Sequence, residues 1–447
     1  MTDRLQTLTE AMLSAARRAG AEAADALAVD GTSVSIDIRA GRLEQAERAE
    51  GIELGLRVLI GGRQACVSVS DTSARTLQDM AERAVAMARE APADPDVGLA
   101  DPDQLARGWD LAALELCDPA PEPAAQALEE DARRAEAAAL AHHGITQVEA
   151  SAGSSRRAMF LAASNGFAGG YGRSSRSVSA VAFTGTGSGM ERDWAAEART
   201  FQGDLPKPES VGDLAGARAL ARVGAERPLT GAYPVLFDER VSSSLIGHLL
   251  AAVNGTAIAR GSSWLRDSLG QPVLPDTLSL IEDPWRPRIS GSRPFDAEGL
   301  ATARRLIVQD GVLMGWTLDL ATGRKLGMAS TASASRGPSS PPQPSSSNLD
   351  LTPGRCTRDD LVAQMGTGLL VTALIGASIN PTTGDYSRGA SGFWVEGGQV
   401  THPVNQCTIA GNLRDMLRRI VPANDARPHL SIRVPSLLVE GMVLAGA

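Results

Sequence analysis

The histidines are the first side chains to test for chemistry, because imidazole is a common metal ligand and the usual general base near neutral pH. They are His142, His143, His248, His402 and His429. None of them is followed by glutamate, so the sequence contains neither of the zinc-binding patterns HExxH and HExxxH. His142-His143 precedes Gly144 at the end of a predicted helix. A cation there is stabilised by the helix dipole, so helix capping is favoured over metal binding.

His248 is the histidine whose position most favours a functional role. It lies on a helix predicted over residues 239–254, within an apolar stripe, so it faces packed side chains or a cleft. Two interpretations stay open: a hydrogen-bonded core histidine, which is the more ordinary one, or a histidine that serves a cleft. The other members of the stripe are Val241, Leu245, Leu249 and Ala252.

Other self-sufficient catalytic sets are missing from the sequence. Lys207 and Lys325 are the only lysines, so there is no Walker A loop or Ser-x-x-Lys motif, and a Schiff-base lysine is nearly excluded. The segment Gly389–Phe393 lacks the last glycine of the serine-hydrolase pattern GxSxG. The glycine-rich run at 185–189 ends before Met190, where a dinucleotide fingerprint requires glycine, so it predicts a turn. Chemistry alone nominates no complete catalytic centre.

The composition argues against a nucleic-acid-binding protein. The 447 residues carry 43 Lys+Arg against 52 Asp+Glu, a net charge of -9, and only 4% are aromatic. Nearly all of the cations are arginines, but they are scattered, and a genome-level preference for arginine and alanine codons explains the excess. The cysteines are far apart and form no C-x-x-C pair, which indicates reduced thiols. They are Cys66, Cys117, Cys356 and Cys407.

The sequence predicts neither a signal peptide nor a membrane helix. Residues 1–4 have no apolar character, and the longest apolar stretch, around 369–379, is interrupted by Thr372 and Gly376. We therefore expect a soluble, cytoplasmic protein.

Periodicity along the chain predicts an α+β fold in two domains, although the length equally allows roughly three. Residues 1–225 predict a mixed α/β domain with a mixed sheet covered by helices, including separate strands at 148–151 and 158–163. Residues 226–447 predict a strand-rich domain with antiparallel hairpins. Helices are predicted over 3–19, 71–90, 123–142, 239–254 and 409–420. Tight turns are predicted at 61–62, 165–166, 310–311 and 397–398.

Residues 336–348 stand out by composition. They read Arg-Gly-Pro-Ser-Ser-Pro-Pro-Gln-Pro-Ser-Ser-Ser-Asn, which predicts a mobile loop too rich in proline and serine to pack. Such a loop inside a domain serves as a lid or binding segment, or is a slack surface insertion, and both interpretations stay open.

Six segments together resemble the TldD/PmbA family of peptidase-associated proteins. They occur in the family's order between residues 55 and 413, so the resemblance covers essentially the whole chain. The segments are Gly55–Val58, Ser164–Gly166, Pro294–Gly299, Asn380–Ser387, Gly389–Gly392 and Thr408–Leu413.

The family has two branches that pair with each other. The TldD-like branch carries a zinc-binding HExxxH helix and a downstream cysteine ligand, and the PmbA branch, also called TldE, lacks them. If His248 takes the place of the second histidine, Ser243 and Ser244 replace the His-Glu pair. If it takes the first place, Leu249 and Val253 replace the glutamate and the second histidine. Zinc hydrolysis needs three protein ligands and a base, so the chain resembles the PmbA (TldE) branch.

The resemblance implies a non-metal-binding subunit of a cytosolic zinc metallopeptidase. A TldD-like partner would supply the zinc, while this chain, without metal or other cofactor, would shape the chamber for small or unfolded peptides, including modified-peptide precursors. The chain would be inactive alone. An alternative is a homodimeric peptide- or protein-binding module without peptidase activity. A metal-free hydrolase using Asp and His has little support, because no carboxylates are paired at a diagnostic spacing. Despite the family's association by name with DNA gyrase modulation, no basic stripe predicts nucleic-acid binding.

We expect a substrate-binding group near the shared cleft and assign no catalytic residue or metal ligand. Arg388 could bind a peptide carboxylate through paired hydrogen bonds, or it could satisfy the carbonyl groups of a local turn. The expected group comprises His248, Arg336, Asp385, Tyr386 and Arg388.

Overall fold

The first half of the chain alternates helices with long strands. The computed structural model describes residues 2–446, apart from the side chain of Ser188. The helices are α1 (Thr2–Ala19), α2 (Ala74–Glu90), α3 (Leu111–Leu114), α4 (Ala125–Leu140) and α5 (Pro208–Leu220). The strands are β1 (Ala23–Arg39), β2 (Arg42–Ile60), β3 (Arg63–Val69), β4 (Ile145–Ala163), β5 (Ala168–Thr184) and β6 (Glu191–Arg199).

These strands form one six-stranded sheet in the order β3-β2-β1-β4-β5-β6. One unit, a three-stranded meander with a helix before it and a helix after it, occurs twice along the chain. The two meanders join where β1 pairs with β4. The predicted combination of helices and a sheet is confirmed. The prediction that the sheet mixes parallel and antiparallel strands is wrong: its strands are antiparallel, because hairpin connections reverse the chain at each turn. The two strands predicted at 148–151 and 158–163 are one strand, since the small and polar residues 152–157 continue the pairing with β1.

The sheet has one face covered by helices and one face turned toward the second half of the chain. Along β1, Ala24, Ala26 and Ala28 pack with α1 and α2, and the same face further along packs with α4 and α5. Leu27 alternates to the opposite face, where it packs with Phe295 from the second half. Period-two alternation in β1 therefore determines which side chains meet the second half.

The second half contains short strands around a larger sheet. No helix within residues 2–446 is long and apolar enough to cross a bilayer. The helices are α6 (Glu239–Ala252), α7 (Gly255–Ala259), α8 (Leu320–Lys325), α9 (Arg358–Met365) and α10 (Leu413–Leu417). The strands are β7 (Gly231–Phe237), β8 (Leu280–Glu282), β9 (Arg305–Gln309), β10 (Val312–Leu313), β11 (Ala334–Ser335), β12 (Gln343–Pro344), β13 (Leu349–Leu351), β14 (Gly368–Ile379), β15 (Asp385–Glu396), β16 (Gln399–Asn412), β17 (Val421–Pro422), β18 (Ile432–Arg433) and β19 (Leu437–Ala445).

The larger sheet closes into a barrel. Its order is β16-β15-β14-β7-β19-β17, and β16 also pairs with β19 through Thr408 and Ala445, which closes the ring. On β7, Val235 and Phe237 face the cluster that contains α6, whereas Leu236 faces the cluster that contains α9. At β7, both sides of the barrel wall are therefore apolar and covered. The strand-rich second half is confirmed.

The predicted turns are confirmed, and one predicted helix is wrong. Gly61 and Gly62, for example, both have positive φ (55° and 69°) and connect β2 to β3 as a two-residue hairpin. The turns at 165–166, 310–311 and 397–398 also connect paired strands. The helix predicted over 409–420 is limited to Leu413–Leu417, because Ile409 continues β16 and pairs with Leu444.

Residues 336–348 pack against their surroundings, so the expectation that they are too rich in proline and serine to pack is wrong. Pro338, Pro342 and Pro344 are buried, since proline is apolar and loses little conformational entropy on packing. A Cβ atom at Gly55 of β2 would lie 2.0 Å from the Pro338 carbonyl oxygen, so only glycine fits beneath this segment. Its mobility and its role as a lid stay predictions.

Ion pairs and hydrogen bonds connect the two halves. Arg240 of α6 bridges to Asp193 of β6 at 3.2 Å, and Arg427 pairs with Glu197. Asn405 of β16 donates a hydrogen bond of 2.9 Å to Glu191. These contacts span the position near residue 225 where a domain boundary is predicted, and that boundary stays a prediction.

Candidate functional site

Helix α6 presents His248 at the margin of the barrel. The helix begins after Asp238, whose carboxylate accepts a hydrogen bond from the backbone N–H of Arg240 and caps the first turn. The helical repeat leaves His248 beside the buried face and half-buried. That buried face consists of Ser242, Leu245, Ile246, Leu249 and Ala252.

His248 meets Tyr386 of β15 edge to face. Their ring centroids are 5.8 Å apart at an interplanar angle of 73°, and Tyr386 is only 2% exposed. Among the described residues the buried Nε2 of His248 has no hydrogen-bond partner, and the guanidinium group of Arg388 is the donor beside the Tyr386 hydroxyl, although not in good hydrogen-bond geometry. Burial, together with the charge of Arg388, lowers the pKa of His248, and burial raises the pKa of Tyr386 to about 12. Both rings are therefore neutral at pH 7.

Arg388 lies two residues beyond Tyr386 and on the same side of β15. Its Nε donates a hydrogen bond of 2.7 Å to the carbonyl oxygen of Gly376, where the pairing of β14 with β15 is irregular. Within residues 2–446 it forms no ion pair with a carboxylate. This contact supports the interpretation that Arg388 satisfies a local carbonyl group.

Asp385 is next to Tyr386 in the chain but belongs to a turn network. It is exposed, and its carboxylate accepts hydrogen bonds from the Thr383 hydroxyl at 2.6 Å and the Asn412 side-chain amide at 3.0 Å. These bonds lower the pKa of Asp385. The carboxylate therefore shapes the turn between β14 and β15.

Arg336 lies elsewhere, against the N-terminal sheet. Its side chain is 1% exposed and forms an ion pair with Asp25 of β1. Asp25 also binds Arg57 of β2, whose Nη2 and Nε lie 2.6 Å and 2.7 Å from its Oδ2. One buried carboxylate is thus shared by two guanidinium groups, and Arg336 anchors residues 336–348 to the sheet. The structure brings His248, Tyr386 and Arg388 together but not Arg336, and the substrate-binding role of the five residues stays a prediction.

Two buried carboxylates adjoin this ion cluster. Asp296 accepts hydrogen bonds of 2.9 to 3.0 Å from the backbone N–H groups of Glu298, Leu300 and Ala334. Burial raises the pKa of Asp296, and burial together with the charge of Asp296 raises the pKa of Glu298 to about 8. Asp296 holds residues 294–300 and 334 in place through main-chain bonds.

Sequence reasoning missed this junction between the halves. Asp25 and Arg57 lie far from Asp296 and Glu298 in the sequence, so no local spacing relates them. Two signals were available. Asp25 interrupts an otherwise apolar strand, which indicates a buried partner, and Arg57 and Asp296 lie within family-like segments to which no role was assigned.

The residues of this chain do not fit a zinc site of the kind that the resemblance implies for the TldD-like branch. Within residues 2–446 no three His, Cys, Asp or Glu side chains are grouped so that they could hold a metal ion. In one register of the HExxxH pattern Ser243 and Ser244 occupy the positions of the His-Glu pair, and in the other Leu249 and Val253 occupy those of the glutamate and the second histidine. The Ser244 hydroxyl donates to the Val241 carbonyl oxygen at 2.6 Å. His248 alone supplies one of the three ligands that zinc requires.

Sequence comparisons relate the whole chain to one family. Residues 24–88 match domain 1, residues 118–223 the central domain and residues 230–446 the C-terminal domain of the PmbA/TldA metallopeptidases. The chain is 36% identical to metalloprotease PmbA of Escherichia coli over 417 residues, which cover 93% of this chain and 90% of the relative. It is also 36% identical to a PmbA homologue of Haemophilus influenzae over 434 residues, which cover 96% and 94%.

Solved structures have the same fold. A candidate modulator of DNA gyrase from Bacteroides thetaiotaomicron superposes with a TM-score of 0.92 at 29% identity, covering 100% of both chains. TldE from Thermococcus kodakarensis superposes with a TM-score of 0.84 at 17% identity, covering 98% of this chain and 100% of that one. Together with the sequence matches over both halves, this shows that the chain belongs to the PmbA/TldD family of metallopeptidases, in its PmbA (TldE) branch.

Proposed function

We propose that this chain is the metal-free subunit of a two-chain zinc peptidase. A TldD-like partner supplies the zinc ion, and this chain shapes the chamber in which small or unfolded peptides are cleaved. The observation that carries the proposal is the donor set of α6, where Ser243 and Ser244 leave His248 without further ligands. Relatives named metalloprotease support the peptidase role.

An unpaired strand edge supports the substrate part of the proposal. β2 pairs with β1 along its length but with β3 only from Leu54 to Ile60. Within residues 2–446 no strand pairs with the other edge of β2 before Leu54, and residues 42–51 are exposed. An extended peptide can bind such an edge through main-chain hydrogen bonds.

Cleavage of an unfolded casein by three zinc-containing mixtures tests the division of labour: this chain alone, the TldD-like partner alone, and both together. We expect efficient cleavage only from the pair, and none when the partner's motif glutamate is replaced by glutamine. Robust zinc-dependent cleavage by this chain alone would overturn the proposal.

Replacing His248 tests whether this residue takes part in zinc binding. His248→Gln should leave the zinc content of the purified pair unchanged, because His248 is not a ligand in this proposal. Metal analysis of the pair measures this, with Arg75→Gln on the exposed side of α2 as the matched control. Loss of zinc from the His248→Gln pair alone would contradict the proposal.

The free edge of β2 also favours a second candidate, a homodimeric peptide- or protein-binding module without peptidase activity. Two copies can pair through such edges. Native mass measurement of the chain, alone and mixed with the TldD-like partner, distinguishes the two: a persistent homodimer without a mixed complex would favour the second candidate.

A further inference from the structure

A cavity of about 270 Å³ lies at the junction of the two halves, away from the His248 group. It is bounded by the sheet face opposite the helices and by residues 293–297 and 334–338 of the second half. Its size is near the lower end of small-molecule sites, roughly 300 Å³, and suits a ligand of about one or two amino-acid residues. The apolar part of its wall consists of Leu27, Val29, Met159, Leu161 and Phe295.

Two arginines stand side by side on the polar part of the wall. Arg157 of β4 is directly opposite Arg173 of β5 in the strand pairing, and both line the cavity. Like charges at directly opposite positions destabilise a sheet, so this pair requires compensation. Arg173 donates to the carbonyl oxygens of Ser290 and Ser292, and its guanidinium carbon lies 5.1 Å from the centroid of the Tyr171 ring. These neutral partners leave its charge uncompensated.

The neighbouring arginines add positive charge. The side chain of Arg157 is exposed and has no ion pair or hydrogen bond to a described residue. Arg293 also lines the cavity and donates to the carbonyl oxygens of Ala334 at 3.0 Å and Ser345 at 2.7 Å, while its buried Nε has no partner within residues 2–446. Arg157, Arg173 and Arg293 therefore surround one cavity without a carboxylate ion-pair partner among the described residues.

Acidic side chains offset only part of this charge: Asp296 interacts electrostatically with Arg293, but no described carboxylate forms an ion pair with any of the three arginines. Asp296 is the only carboxylate in the described wall, and backbone N–H groups occupy its oxygens. Arg336 lines the wall as well, but its guanidinium is directed to Asp25. The cavity thus combines excess positive charge with an apolar wall, and it favours an anion that carries an apolar group.

We propose that this cavity binds the free C-terminal carboxylate of a short peptide whose last side chain is apolar. A carboxylate accepts paired hydrogen bonds from a guanidinium group such as that of Arg157, and the apolar side chain packs on Leu27 and Phe295. Inorganic phosphate would leave the apolar wall uncovered. The choice of a peptide as the source of the carboxylate rests on the proposed function. Binding to this chain requires neither zinc nor a partner, so its failure is distinguishable from failure of the two-chain proposal.

Isothermal titration calorimetry with the full chain tests the proposal. Acetyl-Ala-Leu with a free carboxylate should bind, and acetyl-Ala-Leu-amide should bind about tenfold more weakly, because it lacks the charged acceptor. Arg157→Gln should weaken binding of the acid by about tenfold and fold normally, since the Arg157 side chain has no ion pair or hydrogen bond to a described residue. Arg75→Gln, on the exposed side of α2, should bind like the unchanged chain.

Three results would overturn the proposal. The first is equal affinity for the acid and the amide, or no binding of either. The second is an Arg157→Gln variant that binds as tightly as the Arg75→Gln control. The third is binding of acetyl-leucine or inorganic phosphate as tight as that of the peptide, which would assign the cavity to a small acid or a simple anion instead of a peptide terminus.

Discussion

Replacing Asp25 by asparagine should destabilise the chain more than replacing its ion-pair partner Arg336. Asp25 is 3% exposed and binds two guanidinium groups, those of Arg57 and Arg336. Without its charge, both cations stay buried with no direct counter-charge. Without Arg336, in contrast, Asp25 keeps its two short contacts with Arg57.

The contacts give the expected sizes of the two effects. Removing one member of a buried ion pair costs about 3–5 kcal/mol, because the other charge is left uncompensated, and this applies to Asp25→Asn. Arg336→Met removes one charge-assisted hydrogen bond, worth about 1.5–3 kcal/mol. It also removes two buried N–H groups of Arg336, Nε and Nη2, that have no partner within residues 2–446. The net cost of Arg336→Met should therefore be only about 1–2 kcal/mol.

Urea unfolding followed by circular dichroism and by tryptophan fluorescence measures these differences. Coincidence of the two transitions is required before a single free energy of unfolding is assigned to a chain with several cores. Asp79→Asn is the control, because its pair with Arg75 is exposed and 3.9 Å long, and it should cost less than about 1 kcal/mol. Equal losses for Asp25→Asn and Arg336→Met, or a loss for Asp25→Asn no larger than the control's, would refute the reasoning.

Three further predictions concern buried polar groups. The pKa of Glu298 is raised from 4.5 to about 8 in the folded chain, so the free energy of unfolding should fall as pH rises between these values. Glu298→Gln should flatten the plot of the urea midpoint against pH, and an unchanged slope would count against this. Tyr386→Phe should change the free energy of unfolding by less than about 1 kcal/mol, since the hydroxyl has only the Arg388 guanidinium beside it and not in good hydrogen-bond geometry, and a larger loss in thermal unfolding would contradict this. Burial raises the pKa of the Cys407 thiol to about 11, so iodoacetamide should label Cys407 more slowly than half-exposed Cys117, and mass spectrometry showing the reverse order would contradict this.

Features fixed by neighbouring residues could be predicted from the sequence. The Gly61-Gly62 turn, for example, follows from the backbone conformation that a two-residue hairpin requires, which only a few residue types adopt easily. Helix α2 follows from an apolar stripe after Ser73, whose side chain caps the first turn. The excess length of the helix predicted over 409–420 has a local cause as well. The three- and four-residue spacing of its apolar positions fits a helix, but strand pairing of Ile409 with Leu444 prevails.

The arrangement of the site depends on contacts that sequence spacing does not encode. The apolar stripe placed His248 beside the packed face of α6, but its contact with Tyr386 exists only because the barrel carries β15 past that helix. Arg336 had no visible partner, because Asp25 lies in the first strand of the chain. The proline and serine composition of residues 336–348 predicts a segment that does not pack, whereas in the structure a buried ion pair between Arg336 and Asp25 attaches it to the sheet.

The six family-like segments form two groups in space, and neither group is a set of metal ligands. One group joins the halves: Gly55 lies beneath Pro338, and the Gly299 carbonyl oxygen accepts a hydrogen bond of 2.8 Å from the backbone N–H of Ala106. The other builds the barrel rim, where Asn412 binds Asp385. Ser243 and Ser244 lie outside both groups and outside the buried face of α6. In the register that puts Ser243 and Ser244 at the His-Glu pair, the residues at these two positions can therefore change without disturbing the buried face of the helix, so a chain without those ligands keeps the same architecture.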